Sequence, residues 1–351
     1  MRTLLIAPNW IGDAVMSQPL VARLVRDEPD GIIDVAAPPH IAPVMRAMPG
    51  IADVIEAPNT HGRLDLRMRW RLARRIRARG YDRCIVLPNS LKSALVPWLA
   101  GIPVRVGHRG EARRLLLNRI HPDARDHDAR SRPMVDFYAE LAAPPGAPPT
   151  SDAPDPVLAR SPQTERLARE RFGIDADTPL FVLCPGAEYG PAKRWPTRHF
   201  GSLAARIAAR WPDATIIVLG SAKERALATE LITLGGVAVR NLAGETTVSE
   251  ALALVSQADG VVSNDSGMMH VAAAYRRPQV AVFGSSDPRH TPPRSPRARI
   301  EWLGMNCSPC FARTCPLGHT DCLNGIAPAK VLAALQDALS TPPPAPHEKD
   351  G

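Results

Sequence analysis

Residues 259–274 read DGVVSNDSGMMHVAAA. The apolar run at 260–263 predicts a short buried strand, residues 264–267 a polar turn, and Met268 the start of a helix. A helix N-terminus exposes unpaired N–H groups and partial positive charge, so such a turn is a natural seat for an anion, phosphate above all. Ser266 can cap the helix and donate its hydroxyl, and Gly267 lets backbone approach a ligand closely. Asp265 suits a sugar hydroxyl or an amine rather than a phosphate. His270 lies one turn beyond Ser266 on the same face. The same residues also make an ordinary capped helix, so the turn gains meaning only from its surroundings.

Those surroundings alternate strand and helix. Strands are expected at 2–7 (RTLLIA), 32–37 (IIDVAA), 54–57 and 82–87, with helices at 12–25, 44–48, 64–79 and 90–99. A Pro-, Ala-, Gly- and Ser-rich stretch at 143–162 reads as a linker. The rhythm then repeats: strands at 180–184, 215–219, 261–263 and 279–283, helices at 198–210, 224–234, 249–255 and from 268. This pattern predicts an α/β fold of two halves, 1–155 and 163–340, each with a parallel sheet covered by helices. Two such halves imply a cleft, with ligands beyond the carboxyl ends of the strands. The tail from 341 is expected to be disordered.

Composition narrows the class. The chain has 351 residues, 45% hydrophobic, and a net charge of +8. That excess suits an acidic partner: nucleic acid, an anionic membrane surface or a phosphorylated substrate. Aromatics are only 5% and do not alternate with basic residues, so nucleic acid is not favoured. No apolar run approaches the roughly 18 residues of a membrane span, and the N-terminal one is too short for a secretory signal. A cytoplasmic location is expected. Helix 64–79, LDLRMRWRLARRIRARG with its following glycine, carries seven arginines and an apolar stripe of Leu66, Trp70, Ala73, Ile76 and, less well placed, Leu72. It reads either as a solvated surface helix or as a contact with an anionic lipid surface.

Three further segments sit at strand ends. PNWIGDAVMSQP (8–19) places Asp13 at the head of a helix, as a cap or as a general base. PGAEYGPAKRWP (185–196) adds Lys193 and Arg194, a basic loop or a diphosphate clamp. In GSAKERA (220–226), Glu224 opens a helix or accepts bonds from a ribose diol. Thr246 and Thr247 read as helix caps, and FGSSDPRHTPP (283–293) offers further backbone N–H groups. The chain lacks both the Walker spacing and the GxGxxG signature, which disfavours ATP hydrolysis and nicotinamide chemistry. Cys307, Cys310, Cys315 and Cys322 cluster near His319. A CxxC start with two more thiols suits zinc, but CxxCx4Cx6C is not a standard zinc spacing. A reduced, packed or redox-sensitive cluster is the first reading and a metal the second. Cys84 and Cys184 fall in buried strands and read as core.

Taken in order, PNWIGDAVMSQP, PGAEYGPAKRWP, SNDSGMMHVAAA, FGSSDPRHTPP and CSPCFARTCPLGHTDCL (307–323) resemble the ADP-heptose:lipopolysaccharide heptosyltransferases of glycosyltransferase family 9. PNWIGD and the cysteine segment are more similar to the type II branch than to type I. The resemblance spans strand one to about residue 335. It implies a GT-B architecture of two Rossmann-like domains facing a central cleft, the first taking the acceptor and the second the nucleotide-sugar. A last helix crossing back onto the first domain, here 328–340, goes with it. The implied reaction is inverting, without metal or cofactor: heptose passes from ADP-heptose to the heptosyl-Kdo2-lipid A inner core at the inner face of the inner membrane.

Within the resemblance, Asp13 matches the general base and Lys193 the diphosphate-stabilising lysine. Glu224 matches the ribose contact, and Asp265, Ser266, Gly267 and His270 the donor-binding turn. The type I loop has two threonines where this chain has Glu188 and Tyr189, so those two carry over only weakly, as do Thr246 and Thr247. Another GT-B transferase or epimerase with a different nucleotide-sugar stays open, as does a non-catalytic binder that kept the fold.

Overall fold

A computed structural model describes residues 1–57, 65–122, 132–148 and 153–342. The expected helix start at residue 64, part of the linker (149–152) and the tail from 343 lie outside the described residues. The chain divides into two compact units.

The first unit comprises Met1–Ala159 with Arg289–Thr291. Its elements are β1 (Arg2–Ile6), α1 (Ile11–Met16), α2 (Gln18–Asp27), β2 (Ile32–Ala37), α3 (Ala42–Arg46), β3 (Asp53–Glu56), α4 (Leu66–Arg77), β4 (Arg83–Val86), α5 (Leu91–Leu99), β5 (Val104–His108), β6 (Arg119–His121) and α6 (Met134–Ala139). The six strands are parallel in the order β3-β2-β1-β4-β5-β6. Strand order reverses between β1 and β4, which opens a crevice at their carboxyl ends. The segment Arg289–Thr291 joins this unit by hydrogen bonds: Met134 N–H donates to the His290 carbonyl at 2.8 Å, and His290 Nδ1 to the Arg132 carbonyl at 2.9 Å.

The second unit holds α7 (Pro162–Phe172), β7 (Leu180–Cys184), α8 (Thr197–Arg210), β8 (Thr215–Val218), α9 (Arg225–Gly235), β9 (Arg240–Asn241), α10 (Val248–Ser256), β10 (Gly260–Asn264), α11 (Gly267–Ala274), β11 (Gln279–Val282), β12 (Ala298–Glu301), α12 (Asp321–Asn324) and α13 (Pro328–Ser340). Its sheet is parallel in the order β12-β11-β10-β7-β8-β9. Counted from its own first strand this is the topology of the first unit again, with the reversal between β7 and β10. Both strands are buried along their whole length, as a sheet covered on both faces requires.

Several elements differ from expectation. The helix expected over 12–25 is two helices that meet at Ser17. Pro19 has no N–H to continue the ladder, and the Ser17 hydroxyl donates to the Ala14 carbonyl at 2.7 Å. Helix 328–340 belongs to the second unit: Val331 and Leu335 sit in that unit's core beside Phe181, Trp195 and Val280. The basic helix α4 buries Arg69, Leu72, Ala73 and Ile76 and leaves Leu66 and Trp70 exposed, so its buried stripe is rotated from the expected one. Strands β5, β6, β9 and β12 and helix α7 complete the two units; they are short or polar and lack a sustained apolar period. Cys84 and Cys184 are core thiols as expected, and burial pushes Cys184 up to about 12.

Candidate active site

In the second unit, the residues singled out around 265 and 193 come together at the reversal of strand order. β10 delivers Asn264 and Asp265 to its carboxyl end, and α11 starts at Gly267. The loop after β7 comes from the neighbouring strand and closes with a tight turn over Pro191–Lys193. Lys193 Nζ lies 2.5 Å from Asp265 Oδ2. The Ser286 hydroxyl donates to the same oxygen. The amine partner expected for Asp265 is therefore within the chain. The Lys193 ammonium also stands 5.0 Å above the Tyr189 ring, and the Arg313 guanidinium 5.1 Å from that ring. Tyr189 is anchored by its hydroxyl, which donates to the Phe311 carbonyl at 2.7 Å.

Ser266 occupies the N-cap position with extended backbone, yet its side chain makes no cap hydrogen bond. The expected cap is thus absent, and the hydroxyl and the first N–H groups of α11 stay available to a ligand. His270 is buried one turn on. Burial lowers its pKa to about 4; Lys193 adds to the shift and Asp265 opposes it. The imidazole is neutral at neutral pH.

Glu224 lies at the end of a short 3-10 turn after β8. Its Oε2 accepts from Ser221 N–H at 2.7 Å and from the Ser221 hydroxyl at 3.0 Å. Gly186, in the loop after β7, faces it so closely that an added Cβ would fall 1.8 Å from Oε1. With no side chain at Gly186, the loop after β7 meets the Glu224 carboxylate directly. Thr247 caps α10: its hydroxyl accepts from Glu250 N–H, and Glu250 accepts in return from Thr247 N–H at 2.8 Å. Thr246 precedes it. Glu188 is exposed and faces Lys223 at 3.9 Å.

In the first unit, Asp13 lies in the first turn of α1, just past the carboxyl end of β1. The hydroxyl of Tyr138, in α6, donates to its carboxylate. Tyr138 is buried, and burial followed by the Asp13 charge pushes its pKa well above the usual phenol range. Trp10 caps the helix by position only and stays half exposed.

Three contributors escaped the sequence reading. Asn264 is fully buried with both ends of its amide used: Oδ1 accepts from Trp195 N–H at 2.9 Å and Nδ2 donates to the Pro185 carbonyl at 2.7 Å. It pins the Lys193 loop to β10, and a polar residue closing an apolar strand is its one signal in the sequence. Ser286 lies in a segment noted for its backbone, whereas its side chain binds Asp265. Tyr138 is distant in sequence from Asp13 and carries no local signal.

The profile of glycosyltransferase family 9 (heptosyltransferase) matches residues 69–321. The chain is 40% identical to lipopolysaccharide heptosyltransferase 2 of Escherichia coli K12, over 97% of this chain and 99% of the relative. It is 38% identical to lipooligosaccharide heptosyltransferase 2 of Haemophilus influenzae, over 86% and 88%. The solved structure of E. coli ADP-heptose LPS heptosyltransferase II superposes with a TM-score of 0.84 at 37% identity, covering 97% of this chain and 98% of that one.

Proposed function

The chain belongs to glycosyltransferase family 9, the heptosyltransferases, and on that premise we propose that it moves L-glycero-D-manno-heptose from ADP-heptose onto the heptosyl-Kdo2-lipid A inner core of lipopolysaccharide. The observation that carries this reading is the Lys193–Asp265 pair at the head of α11, where strand order reverses. A departing ADP gains negative charge. Lys193, the first N–H groups of α11 and the Ser266 hydroxyl are the groups that stabilise it, in place of a divalent metal. Asp265 and Ser286 hold Lys193 in position, and Glu224 is the ribose contact.

The acceptor hydroxyl loses its proton to Asp13 as its oxygen attacks the anomeric carbon. The bond from that carbon to the diphosphate oxygen breaks through an oxocarbenium-like state, and the anomeric configuration inverts. Tyr138 fixes the orientation of the Asp13 carboxylate. The first unit is the acceptor domain and the second the nucleotide-sugar domain of a GT-B enzyme.

The acceptor is an anionic lipid, and α4 is the surface that meets its membrane. Arg67, Arg71, Arg74 and Arg75 are exposed on it together with Leu66 and Trp70, and Arg74 stacks 4.9 Å over the Trp70 ring. Basic residues flanking exposed apolar ones are the composition of an interfacial helix. No helix among the described residues is long and apolar enough to cross a membrane. Attachment is therefore proposed as peripheral, on the cytoplasmic side.

The test is transfer with purified protein, ADP-heptose and heptosyl-Kdo2-lipid A. One heptose is added per acceptor with release of ADP, the new linkage is inverted by NMR, and added Mg2+ leaves the rate unchanged. Turnover of a UDP-sugar in preference to ADP-heptose would overturn the donor assignment.

A further inference from the structure

The segment after β12 carries four thiols that the transfer reaction does not use. Cys307, Cys310, Cys315 and Cys322 are all free, and with His319 they line one pocket whose wall is completed by Ala192 and Ser285. The backbone N–H groups of Leu317, Gly318, His319 and Thr320 all point at Cys315 Sγ. Four N–H groups converging on one sulfur fix Cys315 at the pocket wall. The loop adopts left-handed backbone at two non-glycine positions, Phe311 (φ +54°) and Thr320 (φ +53°), and at Gly318 (φ +75°). Side-chain identity does not favour this conformation at Phe311 or Thr320, so something beyond local preference holds the loop. Cys322, at the head of α12, lines the same pocket as the other three. Among the described residues no three His, Cys, Asp or Glu side chains already converge at ligand distance, so the thiols form an open set around the pocket.

We infer that Cys307, Cys310, Cys315 and Cys322 bind one thiophilic divalent cation of the zinc class. Cys315 is the first ligand, and the other three turn inward as they lose their protons. Four thiolates from one short segment suit a closed tetrahedral structural site, which such ions prefer. Binding releases the thiol protons to solvent and involves no change of oxidation state. His319 is not needed as a ligand: its Nδ1 already accepts from Asp321 N–H at 3.0 Å.

The site braces the donor loop. Ala192, beside Lys193, donates its N–H to the Arg313 carbonyl at 3.0 Å, and Tyr189 reaches the Phe311 carbonyl. Phe311 N–H donates in turn to the Ser285 carbonyl at 2.7 Å, next to Ser286. An ion that fixes residues 307–322 thus fixes the strands of chain that hold Lys193 and Asp265.

The test uses the full chain, purified without chelator, and its main readouts need no turnover. Elemental analysis is expected to give one zinc per chain. After the metal is removed under reducing conditions, Co2+ titration is expected to produce tetrahedral ligand-field bands and an intense thiolate charge-transfer band, saturating at one equivalent. Cys315→Ser and the more exposed Cys310→Ser are expected to weaken Co2+ binding by at least about tenfold, in line with loss of a ligand. Zinc is expected to raise the melting temperature of the unaltered chain but not of Cys310→Ser, which keeps the test open if Cys315→Ser fails to fold. Co2+ that binds without a thiolate band, a spectrum indifferent to both substitutions, or disulfide formation in place of metal uptake would each overturn the proposal.

Discussion

Lys193 and Asp265 form an ion pair at 2.5 Å although they lie 72 residues apart, and Ser286 holds the same carboxylate. The lysine is thereby preorganised where a diphosphate would meet the head of α11. Lys193→Ala removes a charged donor and is expected to lower turnover on the order of 100- to 1000-fold, with weaker ADP binding. Asp265→Asn keeps the lysine but loosens it, and a smaller loss is expected. Steady-state transfer kinetics and ADP calorimetry on both variants check this; Lys193→Ala with unaltered kinetics would remove the clamp.

Asp13 and Tyr138 give a second test. Asp13→Ala is expected to abolish transfer while leaving ADP affinity in the second unit intact. Tyr138→Phe keeps the carboxylate but frees it to rotate. A fall in kcat on the order of tenfold with little change in acceptor KM is expected of a positioning residue. A change in KM alone would assign Tyr138 to packing.

Acidification should act through buried histidines. His270 titrates at about 4 in the folded chain against an ordinary value of 6.5, and His108 at about 3, both chiefly through burial. The unfolded chain therefore binds more protons between pH 6.5 and the folded values. Stability is intact above about pH 6.5 and falls as pH drops toward 4. His270 accounts for roughly 3 kcal/mol of that loss. Thermal melts from pH 7 to pH 4.5 should show the decline, and His270→Gln should flatten it.

Gly186→Ala tests the contact with Glu224. The new Cβ would fall 1.8 Å from Oε1, so the carboxylate must leave Ser221 or the loop must shift. Only the far end of a flexible side chain stands in the way, so little stability is expected to be lost. Weaker ADP binding with a nearly unchanged melting temperature is expected, and binding at full strength would separate Glu224 from the ribose.

On α4, a triple reversal of Arg67, Arg71 and Arg74 to Glu is expected to reduce binding to anionic vesicles while leaving the melting temperature nearly unchanged. Surface substitutions of this kind are usually within about 0.5 kcal/mol of neutral. Arg69 and Arg77 are excluded from the test because they donate to the carbonyls of Lys92, Leu99 and Ala100 and hold the fold.

The paired α/β architecture was legible because each central strand is an unbroken apolar run next to a turn residue. The strand ends were legible for the same reason, so Asp13, Lys193 and Asp265 fell at positions where chemistry is plausible. Partnership was not legible. That Asp265 holds Lys193, or that Tyr138 meets Asp13, depends on contacts across 72 and 125 residues (138 minus 13) that no local pattern encodes. The rotation of α4 was missed because Arg69 is buried by donating to a backbone carbonyl, and a hydropathy reading places every arginine outside.

The loan of Arg289–Thr291 to the first unit has a consequence for biogenesis. When the ribosome has finished α6, the carbonyl of Arg132 and the amide of Met134 still await His290, about 150 codons downstream. At roughly 5–20 residues per second, the amino-terminal half spends on the order of 10–30 s with that edge unsealed. Neither half reaches its final bonding before most of the message has been read, so a chain stalled near residue 280 leaves both halves incomplete.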